Sequence, residues 1–227
     1  MKRPRLYIAP SPALDYARKE LQAAEYEIND NIDEGVTHIL LGVPTREAPE
    51  NIPEGCTVIG GNIDKGIDLL KDPYYLAQNA AITAHGAIKI AMNALPVCLW
   101  ECPSLILGFG RIAQCLAQLL KGMGVEVAIA ARRPEALALA KALGFQALAL
   151  EKLDYKPYRL VFNTVPQDLE LKEEAFAPGC LKIDLASVKA LPGEDTLWAR
   201  GLPGKEHPES SGRLIAERVR YYLNNKE

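Results

Sequence analysis

Leu105-Ile-Leu-Gly108-Phe-Gly110-Arg-Ile-Ala113 decides how the rest of this chain is read. Its branched apolar run reads as a strand buried on both faces, ended by a glycine turn. From Ile112 to Lys121 the apolar residues recur at amphipathic-helix spacing. About twenty residues past the turn, a second apolar run ends in Ala131-Arg132-Arg133. Strand, glycine turn, helix and strand in that order form the layout of a dinucleotide-binding βαβ unit. Gly108 would then allow the tight turn. Gly110 would let the backbone approach a pyrophosphate, with Arg111 and Ile112 at the helix N-terminus that receives it. Ala113 stands in for the third glycine, where helix and strand pack closely. A merely structural turn is the alternative, and the flanking strands and helix argue against it.

Working outward, strands and helices alternate, as a parallel sheet requires. On the N-terminal side, strands are expected at Leu6–Ala9, His38–Val43 and Cys56–Gly60, with a helix over Ala13–Ala24. Asp68 to Leu95 reads as helix, interrupted near Asp72-Pro73, with Thr83 as N-cap and Ala84-His85-Gly86 in the first turn. It is a candidate for the helix that crosses between domains. On the C-terminal side, strands are expected at Val125–Ala130, Gln146–Leu150, Leu160–Asn163, Lys182–Leu185 and Leu197–Arg200. Helices should lie near 112–122, 134–143 and 171–176, with Gly144 as a C-cap. Gly201 to His207 reads as a rigid loop, followed by a last helix over Pro208–Asn224.

The 227 residues are 48% hydrophobic, enough for one large domain or two small ones with cores of their own. A net charge of −3 excludes a general polybasic surface for nucleic acid or membrane. No apolar run approaches the roughly 20 residues of a membrane span. The basic start is followed by too short an apolar run for a signal peptide, so a cytoplasmic protein is expected. Five scattered cysteines fit reduced thiols, and no ligand set for a metal is evident.

The end of the second strand distinguishes the two nicotinamide cofactors. NAD sites carry an acidic residue there for the ribose 2′-hydroxyl, whereas this chain has Arg132 and Arg133. Two guanidinium groups suit a 2′-phosphate, so NADP is expected, with NAD as the alternative. Asn163-Thr164-Val165-Pro166 and Asp184-Leu-Ala186-Ser187 follow later strands, where a doubly wound sheet borders the nicotinamide. Ordinary turn chemistry is the structural alternative for both. Gly201-Leu202-Pro203-Gly204-Lys205 places a cation beside that site, and Ser210 and Ser211 open the last helix, whose amides suit a carboxylate. A hinge with Lys205 in solvent is the plain reading. His85, set in a helix's first turn, would lack dipole support for its charged form and so be free to accept a proton. A packed or exposed helix histidine is the equally simple reading.

Taken together, Gly60-Gly61-Asn62, Thr83-Ala-His85-Gly-Ala87, Gly108-Phe-Gly110-Arg111, Phe162-Asn-Thr-Val-Pro166, Asp184-Leu-Ala-Ser187 and Gly201-Leu-Pro-Gly-Lys205 resemble, in that order, the dipicolinate synthase A subunits. The likeness runs from about residue 40 to the end. It implies an NAD(P)-dependent oxidoreductase of spore formation, oxidising hydroxytetrahydrodipicolinate or its dehydrated form to pyridine-2,6-dicarboxylate alongside a flavoprotein-like B subunit. Departures from the family fall on the substrate side. The first domain is shorter, His85 replaces the family's Glu, and His207-Pro-Glu-Ser-Ser-Gly212 replaces a lysine-bearing stretch.

The expected architecture is therefore α/β. A Rossmann domain (97–207) would hold NADP. A smaller flavodoxin-like domain (1–96, with helix 208–227) would hold substrate, across a cleft. Gly108, Gly110, Arg111, Ile112, Arg132, Arg133, Asn163, Thr164, Val165, Pro166, Asp184, Ala186, Ser187, Gly201, Leu202 and Pro203 are the expected cofactor residues. Gly61, Asn62, His85, Arg111, Lys205, Ser210 and Ser211 are the expected substrate residues, with His85 and Lys205 catalytic. An oligomer of identical chains is expected. Two other functions stand beside this one: a scaffold or regulatory protein that binds NADP without turnover, and a D-2-hydroxyacid dehydrogenase.

Overall fold

The computed structural model describes residues 4–225. It contains two parallel sheets, each in its own compact unit: residues up to Ile82 with Pro203 onward, and Thr83–Leu202.

The first unit holds strands β1 (Arg5–Ile8), β2 (Glu27–Asn29), β3 (His38–Leu40), β4 (Thr57–Gly60) and β5 (Ile67–Asp68) in the order β2-β1-β3-β4-β5. This 2-1-3-4-5 order is one of the two common doubly wound arrangements. Ser11 caps helix α1 (Pro12–Ala23) through the Leu14 amide, and Pro12 suits its first turn. Ala13, Leu14, Ala17 and Leu21 form its buried stripe. The last helix of the chain, α6 (Pro208–Asn224), lies against that stripe and buries Leu214, Ile215, Val219 and Leu223. Each such side chain contributes about 1.5–3 kcal/mol over its exposed state. Gly212 sets the approach, since a Cβ there would sit 2.3 Å from the Ala13 carbonyl oxygen. On the sheet's other face, loops rather than helices cover Val36, Ile39 and Leu41.

Helix α2 (Pro73–Ala94) starts at Asp72, whose carboxylate accepts from the Tyr74 and Tyr75 amides at 2.9 and 3.2 Å, with Pro73 in the first position. The expected start at Thr83 is thereby corrected. Thr83 is buried in the middle of α2, because no breaker follows Pro73 until Pro96 and the helix needs no second cap. The other Asp72 oxygen accepts from Arg218 Nε at 2.6 Å and the Tyr222 hydroxyl at 3.2 Å. The rings of Tyr74, Tyr221 and Tyr222 surround the Arg218 guanidinium, Tyr221 at 4.1 Å. Burial alone would raise the Asp72 pKa, but the bonds from Arg218, Tyr75 and Tyr222 and the Arg218 charge outweigh it and hold the carboxyl below its ordinary value. This cluster ties the start of α2 to α6.

The second unit contains β6 (Ser104–Leu107), α3 (Arg111–Gly122), β7 (Val127–Ala131), α4 (Pro134–Ala142), β8 (Gln146–Ala149), β9 (Leu160–Asn163), β10 (Leu181–Asp184) and β11 (Leu197–Trp198). The order β11-β10-β9-β6-β7-β8 is 6-5-4-1-2-3 within the unit, that of a dinucleotide-binding sheet. Strands β6 and β9 are fully buried, and Ile106, Leu116, Leu120, Ile129 and Phe162 share one core. Gly144 takes a positive φ of 76° as the helix stop expected of it. Two local expectations are corrected. Residues 171–176 give only a 3-10 turn, Glu173–Ala175, and Gly201–His207 is no loop but contains a short helix, α5 (Leu202–Glu206).

Among the described residues no helix is long and apolar enough to cross a membrane.

Candidate functional site

The sheet of the second unit reverses its winding between β6 and β9, and such a switch point opens a crevice at the carboxyl ends of the strands. The glycine turn sits there, and its two glycines answer to different demands. Gly108 has φ +89°, and a Cβ on it would lie 2.6 Å from Thr164 Oγ1 and 3.1 Å from Val165 Cγ2. The fold itself therefore requires glycine at 108. Gly110 has φ −82°, open to any residue, and a Cβ there would meet nothing within 4 Å. Packing gives no reason for glycine at 110.

Gly110 is also the N-cap of α3 and has no side chain to cover the first-turn amides of Arg111, Ile112 and Ala113. Those amides and the positive end of the helix make an anion cradle. Arg111 is exposed beside it, and Ala113 is buried against the sheet. At the end of β7, Arg132 and Arg133 are both exposed, Arg133 as the N-cap of α4. Arg132 Nη2 donates to Gln167 Oε1 in the loop after β9. Three exposed cations and an uncapped helix end thus follow the neighbouring strands β6 and β7. The residues present fit a phosphorylated dinucleotide.

The loop after β9 is fixed from within. Thr164 donates through Oγ1 to the Leu107 carbonyl at 2.8 Å. Asn163 Oδ1 accepts from the Val165 amide at 2.9 Å, and its Nδ2 donates to Val165 O at 3.1 Å and Asp184 Oδ1 at 3.0 Å. Asp184 also accepts from the amides of Ala186, Ala190 and Leu191 at 2.7–3.0 Å. Neither Asn163 nor Asp184 has any exposed surface. Their side chains shape the two loops and present no atom to a ligand. Ala186 is buried as well, and its carbonyl accepts from Trp198 Nε1 at 3.0 Å. Pro166 and Ser187 are exposed, Thr164 and Val165 half-buried. Of the residues expected in these two loops, the latter four keep exposed surface. Gly201, with φ +70°, leads into α5, where Leu202 is buried and Pro203 half-buried. Gln167 and Trp198 escaped the sequence reading. Each partner is far along the chain or a main-chain atom, so neither contact leaves a local pattern.

The expected substrate residues fall in both units. Gly61, Asn62, Lys205, Ser210 and Ser211 belong to the first unit. His85 and Arg111 belong to the second. Asn62 adopts φ +57°, a left-handed conformation held by its amide's bond to Asp68 Oδ1 at 3.1 Å. Gly61 is buried, and its amide and carbonyl bond Thr45 Oγ1 and the Thr45 amide at 3.2 and 2.7 Å. Lys205 and Ser210 are exposed, while Ser211 is buried with its amide bonded to His207 O at 3.0 Å, so Ser211 offers no free amide. His85 is exposed in the interior of α2, a dozen residues past its start. The first-turn argument for a neutral His85 therefore falls.

Fold and crevice together define a protein of two parallel α/β units, the second with the strand order and glycine turn of a Rossmann-type sheet. Within that class the chain is similar to the dipicolinate synthase A chain of Bacillus subtilis, with TM-score 0.83 and 19% identity over 100% of this chain and 98% of the other. The corresponding Bacillus halodurans protein gives 0.81 and 19% over 98% of both chains. D-lactate dehydrogenase from Escherichia coli gives 0.64 and 13% over 97% of this chain and 96% of the other. No protein-family model and no curated protein sequence matches.

Proposed function

We propose that this chain is an NADP-dependent oxidoreductase of the dipicolinate synthase A kind, oxidising a cyclic dihydro- or hydroxytetrahydro-pyridine dicarboxylate to pyridine-2,6-dicarboxylate in the cytoplasm of a spore-forming cell. The observation that carries the cofactor half is the pairing of open Gly110 and the uncapped start of α3 with Arg132 and Arg133 at the end of β7. Full-length likeness to the two Bacillus dipicolinate synthase structures supports the substrate class.

In this reading the amides of Arg111 and Ile112 hold the pyrophosphate, and Arg132 and Arg133 hold the 2′-phosphate. Thr164, Val165, Pro166 and Ser187 border the nicotinamide. When bound, NADP⁺ supplies a two-electron acceptor that takes hydride from a ring carbon. For the dihydro form the protein's own share is orientation and removal of one proton; the hydroxytetrahydro form must in addition lose its hydroxyl group as water, which converts it to the dihydro form. Arg111, Lys205 and Ser210 are the carboxylate-binding candidates, with Gly61 and Asn62 lining the substrate side. His85 and Lys205 are the candidates for proton transfer. A flavoprotein-like B subunit is the proposed partner, together with self-association.

The test is direct. NADPH binding is followed by fluorescence, and dipicolinate formation by ultraviolet absorbance with NADP⁺ and freshly generated lysine-pathway intermediate, with and without a B subunit. Arg132→Ala should weaken NADPH at least tenfold and leave NADH unchanged. Equal binding of NADH and NADPH by the wild type removes the NADP assignment. Binding without turnover, even with the B subunit, points to the scaffold reading. An unchanged rate in His85→Ala removes His85 as the base.

A further inference from the structure

We propose that Gln167 sets the cofactor preference of this chain by holding Arg132 in place for a 2′-phosphate without neutralising it. The inference rests on the dinucleotide reading above. Arg132 directly follows β7, and Gln167 lies in the loop that follows β9. β6 lies between those strands, so the Arg132–Gln167 bond spans the end of β6, where the glycine turn begins. Neighbouring strands are about 4.8 Å apart, so two side chains must bridge roughly 10 Å, a span that suits Arg and Gln. The loop after β9 is pressed onto that turn, as the near contact of Gly108 with Thr164 and Val165 records.

Both partners are exposed, so the bond adds little to stability. Its value lies in what it does to the guanidinium. Arg132 has five N–H donors, and Gln167 engages Nη2. The rest of the fork stays available to a phosphate, and its charge is intact because an amide oxygen carries none. A carboxylate at 167 would do the opposite. It would pair with Arg132, cancel the charge and repel a 2′-phosphate, while leaving a 2′-hydroxyl without penalty.

The experiment measures dissociation constants of NADPH and NADH for the wild type, Gln167→Ala and Gln167→Glu, and for each exchange in an Arg132→Ala background. Thermal melts check that all variants fold. Gln167→Ala should weaken NADPH about three- to tenfold, and Gln167→Glu at least tenfold, with NADH within about twofold in both. Gln167→Ala should leave the NADPH-to-NADH ratio unaltered once Arg132 is gone, whereas Gln167→Glu keeps its own repulsion of the 2′-phosphate there. If Gln167→Glu keeps the wild-type ratio, or Gln167→Ala shifts it equally without Arg132, the inference is overturned and the dinucleotide reading stands. If the wild type binds neither nucleotide, that reading itself fails.

Discussion

Gly110→Ala and Gly108→Ala, made side by side, separate a glycine kept for a ligand from one kept for the fold. At 110 the backbone already suits alanine, and the added Cβ meets no atom. Alanine is the poorer N-cap by about 0.5–1 kcal/mol, but it also restricts the unfolded chain, a gain of about 0.4–1 kcal/mol. The two nearly cancel, so stability should stay within about 0.5 kcal/mol of wild type. The methyl group would nevertheless stand where a pyrophosphate meets the first amides of α3, and NADPH affinity should fall about thirtyfold or more, roughly 2 kcal/mol. At 108 the positive φ costs alanine about 1–2 kcal/mol. Its Cβ must also displace Thr164 Oγ1, whose bond to Leu107 O is worth about 0.5–1.5 kcal/mol. The sum, about 1.5–3.5 kcal/mol, lowers the melting temperature by roughly 3–14 °C. Circular-dichroism melts and NADPH fluorescence titrations read both quantities on the same samples. A folded Gly110→Ala that binds NADPH within twofold of wild type would refute the cradle, and a Gly108→Ala as stable as wild type would refute the packing argument.

Three further outcomes follow from the rest of the molecule. The Asp72 carboxyl is held below its ordinary value of about 4, so its contribution to stability is present above that value and is lost as the pH falls through the lower folded value. Asp72→Ala should cost about 3–5 kcal/mol by leaving Arg218 buried without its partner, and urea melts at pH 7 and pH 3 should converge for this variant relative to wild type. Gly212→Ala drives a Cβ into the Ala13 carbonyl and Tyr16, and should cost about 1–3 kcal/mol in the same melts by forcing α6 away from α1. Burial pushes the Cys180 thiol up to about 11 and also raises Cys102, so in a native thiol titration at pH 8 exposed Cys98 should react first and these two only on unfolding.

What the sequence disclosed about the fold follows from how much of each element's signal was local. β6, β9 and α3 carry continuous apolar runs or a strong amphipathic stripe, and their positions differ by no more than a residue from expectation. β2 and β5 are three- and two-residue strands with no buried residue, and only pairing with a neighbour defines them. Thr83 shows the opposite failure. A good capping residue beside a plausible helix start misled because Asp72, eleven residues earlier, already supplied the cap, and its other oxygen was engaged by Arg218 146 residues away. A cap is legible only when competing caps are weak, and this chain offered two.

The glycine turn was legible for a related reason. Strand, turn and helix are consecutive residues there, so Gly108, Gly110 and the start of α3 announce themselves in one stretch. Asn163 and Asp184 resemble ligands because they close strands, yet each spends its hydrogen bonds on the loops around it. Sequence position could not distinguish a side chain that touches a ligand from one that shapes the loop that does; burial could. The substrate side has no such stretch. Gly61, Asn62, Lys205 and Ser210 lie in the first unit and His85 and Arg111 in the second, so no short motif encloses them. Activity assays on His85, Lys205 and Arg111 variants therefore carry more information about the reaction than further reading of the glycine turn, which speaks only for the cofactor.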